Sequence, residues 1–409
     1  WNNGKAAYTY TYDNKGNITS ITGGGQEFEY RYDKYGRLIS AEDYPGGYVW
    51  TYTYDDGGNI TQRGLTDYYN NKNPNSILAT YTYGDANWPD LLTAFNGKSI
   101  TYDAIGNPLS DGTWTYAWQH GRQLASMSKS GSSITYGYNA DGKRISKTVN
   151  GTTYNFSYLG DQLTEMTWGS NKLHFTYDST GPASVTYNGN RYFYLKNAQG
   201  DVTGLVNASG TQVVSYTYDP WGAPMSVSGS MSATLGAVNP LRYRGYVYDT
   251  ETGLYYLSSR YYNPVWGRFI NADTAAVVAA SPDKANWDKN LFAYCDNDPV
   301  NRKDDGGEFW HIIAAGAING AISAINNAVT QIHEKGSDNF DWGQVFIAAA
   351  FGCANGVLTS CGVFSFGAVI ALSGVLGAAE SVASDLRSNY TGEQSYSTGQ
   401  IIGHAIVNA

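Results

Sequence analysis

The sequence predicts a mainly β protein built from stacked hairpins, followed by a helical C-terminal segment. Three observations carry this reading: a recurring Tyr-x-Tyr-Asp pattern, a high content of tyrosine and glycine, and an abrupt loss of tyrosine and charge after residue 308. The chain has 409 residues, with 36 Tyr and 48 Gly, while charged residues make up only 15%. Abundant Tyr, Thr and Val fit strands, and the length exceeds one ordinary domain.

The repeat unit appears in "YTYDNKGNITSI" from Tyr10, "YRYDKYGRLISA" from Tyr30 and "YTYDDGGNITQR" from Tyr52. Weaker copies follow in "ITYDAIGNPLSD", "YGYNADGKRISK", "FTYDSTGPASVT" and "YTYDPWGAPMSV". A spacing of roughly twenty residues suits stacked supersecondary units. Tyr-x-Tyr puts two rings on one face of a strand, because side chains alternate along it. The Asp then caps a turn with its side-chain oxygen, and the Gly three residues later accepts a positive φ. Asn or Arg follows, and Ile or Leu opens the returning strand, so each copy is one β-hairpin. Residues 1–235 are expected to form one curved antiparallel sheet with its paired tyrosines stacked along a common face. The segment Asp219-Pro220-Trp221-Gly222 reads as turn chemistry.

Composition also excludes functions. The formal charge of −9 leaves no basic stripe for phosphates, so no nucleic acid is expected on residues 1–308. The three cysteines, Cys295, Cys353 and Cys361, do not make a disulfide framework, and Cys353 and Cys361, eight apart in an apolar run, read as buried thiols. Five scattered histidines show no metal-ligand spacing, and no cofactor motif occurs. The chain opens at Trp1 with neither Met nor an apolar leader, and reads as a fragment.

The pattern Y-x-Y-D-x-x-G-N/R-I/L resembles the YD repeat of Rhs and teneurin-like proteins. A more specific match is "PLRYRGYVYDTETGLYYLSSRYYNPVWGRFINAD", which resembles the Rhs-associated core domain, and "NLFAYCDNDPVNRKDDGG" is similar to the family's closing segment. The resemblance covers residues 1–308 and implies YD repeats over 1–238 and a core domain over 239–308. It further implies a β-sheet spiralling into a hollow shell, plugged at one end by the core domain. That shell houses a polymorphic C-terminal segment, typically a toxin.

Residues 309–409 differ in kind. They hold two tyrosines, Tyr390 and Tyr396, and eight charged residues. Phe309 to Ile332 and Trp342 to Ala379 contain no Asp, Glu, Lys or Arg. Both runs exceed the ~20 residues that span a bilayer as a helix. Gly316/Gly320 and Gly352/Gly356 would permit close helix contact. Three readings stand: a pretoxin or translocation segment held in the shell, a membrane-inserting effector, or an ordinary Gly/Ala-rich bundle interrupted by Asn319, Asn326, Asn327 and Asn355. His404 stands alone and carries no catalytic signal.

Relatives with a self-cleaving core use an arginine and two aspartates like an aspartic protease. The resemblance places these at Arg260 in "SSRYY", Asp273 in "INAD" and Asp304 within Pro299–Gly307, which follows the pattern P-x-x-x-x-D-P-x-G, with the cut after Glu308. Two close carboxylates cannot both ionise, so one stays protonated while its partner activates water. Arg260 is expected to hold one carboxylate as a charge-assisted, bidentate pair. The usual Asp-Pro is replaced by Asp273-Thr274 and Asp304-Asp305, which loosens the backbone at both positions. Asp305 is a poor substitute for Asp304, since neighbours in extended chain point apart. The plainer alternative makes Asp304 a turn residue before Gly306-Gly307.

Two function classes follow. One is a secreted or bacterial surface toxin-delivery shell whose partners are its own C-terminal tail as cargo, a target-cell membrane and an immunity protein. The other is a surface adhesin binding glycans or proteins through exposed aromatic repeats. The charge-poor tail favours the shell.

Overall fold

The computed structural model describes residues 8–23, 25–67, 76–197, 199–273, 290–304 and 306. The expected helical tail over 309–409, Cys353, Cys361, Asp305 and the Glu308–Phe309 bond lie outside them. All the described residues fall in one compact unit. They are mainly β, and the α-helical content among them is a single turn, Leu235–Val238.

The repeats pair strictly with their sequence neighbours, always antiparallel, as the hairpin reading requires. They form two sheets and not the single sheet expected: nine strands over residues 9–99 and fourteen over residues 101–228. The break falls at Ile100, whose N–H turns back to the Thr93 carbonyl at 2.8 Å between the last strand of one sheet and the first of the next. Just before it, between Tyr83 and Thr93, the chain makes a turn in which Asp85 accepts the N–H groups of Asn87 and Trp88. Pro89, in the same segment, has no N–H to donate to a ladder. The strands beside the break, Ala94–Phe95, Lys98–Ser99 and Thr101–Tyr102, are two residues each.

The turn chemistry is as expected and more complete. Asp33 Oδ1 accepts the N–H groups of Tyr35 at 2.8 Å and Arg37 at 3.0 Å, and Gly36 follows at φ 85°. Asp13, Asp55 and Asp103 each accept the N–H four residues on in the same way. The Asn or Arg of the motif has its own task. Asn17, Asn59 and Asn107 return a side-chain N–H to the second oxygen of their Asp, and Arg37 Nε does so at 2.6 Å. Asp219 also makes this turn, accepting from Trp221 and Ala223.

The paired tyrosines divide their work. The first of the pair is buried in most copies: Tyr30, Tyr52, Tyr136 and Tyr216 belong to one continuous core, while Tyr10 packs against it half-buried. The second sits where the register shifts, as at Tyr32, Tyr54, Tyr138 and Tyr218. Such bulges bend the strand and re-aim a side chain. Each re-aimed hydroxyl donates to the carbonyl that opens the preceding copy's returning strand: Tyr32 to Ile18 at 2.8 Å, Tyr54 to Leu38 at 2.5 Å, Tyr138 to Leu124 at 2.9 Å, Tyr218 to Val202 at 2.7 Å. The expected ring-on-ring ladder is therefore largely replaced by a hydroxyl lock. Spacing explains it. A returning strand separates successive Tyr-x-Tyr strands, putting them about 10 Å apart, beyond the ~7 Å limit of ring pairing.

A third sheet accounts for the aromatic density near residue 250. Its strands are Val247–Asp249, Leu254–Leu257, Arg260–Asn263 and Arg268–Phe269. Tyr255, Tyr262, Phe269 and Tyr294 are essentially inaccessible, and the Tyr262 and Tyr294 rings stack at 4.1 Å. This cluster packs on both repeat sheets: Tyr261 Oη meets Tyr138 Oη at 3.1 Å, and Trp266 lies 6.1 Å from Phe95. Buried charge adds direction to the docking. Arg144 grips Asp249 with both guanidinium arms, Lys147 joins the same carboxylate at 2.9 Å, and Arg63 pairs with Asp219 at 2.5 Å.

Candidate active site: an arginine between two aspartates

The third sheet positions the site. Leu254–Leu257 and Arg260–Asn263 pair as a hairpin with Leu257 opposite Arg260, so Ser258 and Ser259 form its tip. Arg260 starts the second strand of that hairpin, and its guanidinium lies over the Phe269 ring, 3.6 Å from the centroid. Aromatic faces attract such cations.

The structure brings all three expected residues together. Arg260 Nη2 lies 3.0 Å from Asp273 Oδ2 and 3.8 Å from Asp304 Oδ2. All three side chains are at most 11% exposed, so charge interactions here are stronger than at a surface. The sequence reading gave Arg260 one carboxylate, whereas the same nitrogen faces both. Its Nη1 donates to the Leu291 carbonyl at 3.0 Å, which also accepts the Asp273 N–H at 2.9 Å. Leu291 thus ties the arginine and the first aspartate to the returning segment that leads to Asp304.

Asp304 has two contacts of different kind. Oδ1 accepts the Gly306 N–H at 3.1 Å, the turn role anticipated as the plainer alternative, while Oδ2 faces Arg260. The two roles coexist because a carboxylate has two oxygens. The Asp304 N–H donates to Tyr246 Oη at 3.0 Å, fixing the backbone where the usual proline is missing.

Sequence reasoning missed four contributors. Phe269 and Ser259 sit inside the quoted aromatic stretch but carry no distinctive spacing. Leu291 acts through its backbone, which no side-chain pattern reveals. Arg122 comes from a repeat turn and donates to the Ala272 carbonyl at 2.6 Å. Burial pulls the Arg122 guanidinium below its ordinary value, against the opposing charge of Asp273. Chemically, the site offers two buried carboxylates and one cation, the inventory of acid–base hydrolysis without a metal ligand set.

Comparison with known proteins agrees with the repeat architecture. The Teneurin YD-shell model matches residues 1–300. The tRNA3(Ser)-specific nuclease WapA of Bacillus spizizenii is 41% identical over 234 residues, which are 55% of this chain and 10% of the relative. The tRNA nuclease WapA of Bacillus subtilis (strain 168) is 38% identical over 234 residues, again 55% and 10%. The chain thus spans about a tenth of the length of these curated relatives. The crystal structure of TcdB2-TccC3-Cdc42 shares the fold, with a TM-score of 0.54 at 20% identity, covering 74% of this chain and 17% of that one. With a family model spanning most of the sequence and the repeat chemistry that defines it visible strand by strand, the chain belongs to the teneurin YD-shell family.

Proposed function

We propose that this chain is part of a toxin-delivery shell that encloses its own C-terminal segment and cuts it free at the Glu308–Phe309 bond. The observation that carries the reading is the meeting of Asp273 and Asp304 at one arginine nitrogen. They are far apart in sequence, and a turn needs only one of them.

In the cut, one carboxylate takes a proton from water, whose oxygen adds to the Glu308 carbonyl carbon. The C–N bond then breaks, and the partner carboxyl gives its proton to the Phe309 nitrogen. No other reactant is required. Arg260 pairs with the ionised carboxylate and keeps both side chains at the same place.

The shell part of the proposal draws on the family, on relatives named as nucleases, and on the burial of the repeat aromatics. An adhesin working through its tyrosines would need them at the surface, and Tyr30, Tyr52, Tyr136 and Tyr216 are in the core. Within this reading the repeats are residues 1–238, the core domain 239–308 and the cargo side 309–409. The protein is secreted or held at the bacterial surface, and its further partners are a target-cell membrane and an immunity protein. Mass spectrometry of the purified chain beside Asp273→Asn and Asp304→Asn tests the cut. The expected result is two fragments from the wild type and an intact mass from each variant with unchanged fold. An intact wild-type chain, or a cut that persists in both variants, overturns it.

A further inference from the structure

The hairpin tip beside Arg260 contains Ser258, which is held at φ 62°, a left-handed conformation costly for a residue other than glycine. The turn aims the next residue at the chain that leads to the proposed cut. Ser259 Oγ donates to the Gly306 carbonyl at 2.9 Å, and the Ser259 N–H reaches the same oxygen at 3.2 Å. That N–H also serves the Leu257 carbonyl at 2.7 Å, so the hydroxyl is the donor committed to Gly306. Gly306 is buried, and its own N–H is held by Asp304. Both backbone polar groups of Gly306 are therefore gripped, the N–H by a dyad aspartate and the carbonyl by the residue preceding Arg260.

We infer that Ser259 is a positioning residue that fixes the register of the cleavage segment, with the chain's own Gly306 as its ligand; this rests on the self-cleavage reading above. Gly306 lies two residues before Glu308. Holding its carbonyl sets which peptide bond comes to the aspartates, just as a strand partner sets register through backbone hydrogen bonds. A serine does this without entering the proton chemistry.

The test uses the full chain in wild-type, Ser259→Ala and Ser259→Thr forms, each also combined with Asp273→Asn to block the cut. Cleavage rate is followed against pH, and hydrogen exchange reports protection of residues 304–308. Ser259→Ala is expected to slow cleavage about tenfold, the scale of one lost hydrogen bond to a reacting segment. The shape of the pH profile should not change, Ser259→Thr should restore most of the rate, and Ser259→Ala should lower protection in the blocked background. Wild-type rate and protection in Ser259→Ala would overturn the inference, as would a loss that Ser259→Thr does not rescue. If the wild type stays intact while Ser259→Ala still lowers protection, the docking role stands and self-cleavage fails. If the wild type stays intact and protection does not change, both fail.

Discussion

Asp249 illustrates how much a single residue carries here. Burial opposes its charge, yet the Arg144 guanidinium and the Lys147 ammonium outweigh burial and hold its carboxyl below the ordinary range. A depressed native value means that this stability is complete above the unfolded carboxylate pKa, about 4, and is lost as pH falls through the native value. Asp249→Asn should flatten that part of the acid limb. It should also cost about 3–5 kcal/mol at neutral pH, because Arg144 is left charged and fully buried. Urea unfolding at several pH values measures both effects, and an unchanged midpoint would contradict the account. The tyrosines give the opposite limb. Burial raises Tyr52, Tyr255, Tyr262 and Tyr294 well above their usual value. Their stabilisation is full below pH about 10 and is lost as pH rises beyond it. Tyrosinate absorbance from these rings should therefore appear together with unfolding, detected by circular dichroism, and not before it.

The hairpin is the element whose logic was most legible in the sequence. Asp, Gly and the following aliphatic each predicted a local event, and the turns at Asp33 and Asp55 carry them out. The part that could not be read depends on the neighbouring copy. Whether Tyr54 meets another ring or the Leu38 carbonyl is decided by a bulge and by the strand lying between successive repeats. Neither is encoded in a twelve-residue motif. The sheet break at Ile100 escaped for a related reason, because the two-residue strands on either side of it carry no pattern of their own. Two substitutions separate the roles. Tyr54→Phe should cost about 1 kcal/mol by leaving the buried Leu38 carbonyl without its donor. Tyr35→Phe, on a side chain 68% exposed within a turn, should leave the unfolding midpoint where it was.

In the whole molecule, the third sheet and the segment after residue 290 hold the repeats together. Asn301 accepts the Ile18 N–H at 2.7 Å, Asn297 donates to the Gly58 carbonyl at 2.7 Å, and Gln199 donates to the Val300 carbonyl at 3.2 Å. One short stretch thus binds turns of both repeat sheets, immediately before the aspartate of the proposed cut. At this scale the sequence supplied the three site residues through resemblance, while the contacts that seat them, from Leu291, Tyr246 and Arg122, depend on long-range packing. Because this stretch precedes Glu308, cutting there would leave every one of its contacts intact, and the proposed function then requires that the severed cargo stay enclosed. Protease digestion of the full chain under native conditions tests that most directly. The expected result is a C-terminal fragment that is already cut from the core domain yet survives protease until the shell is unfolded. Digestion of that fragment while the repeats remain folded would contradict the enclosing shell.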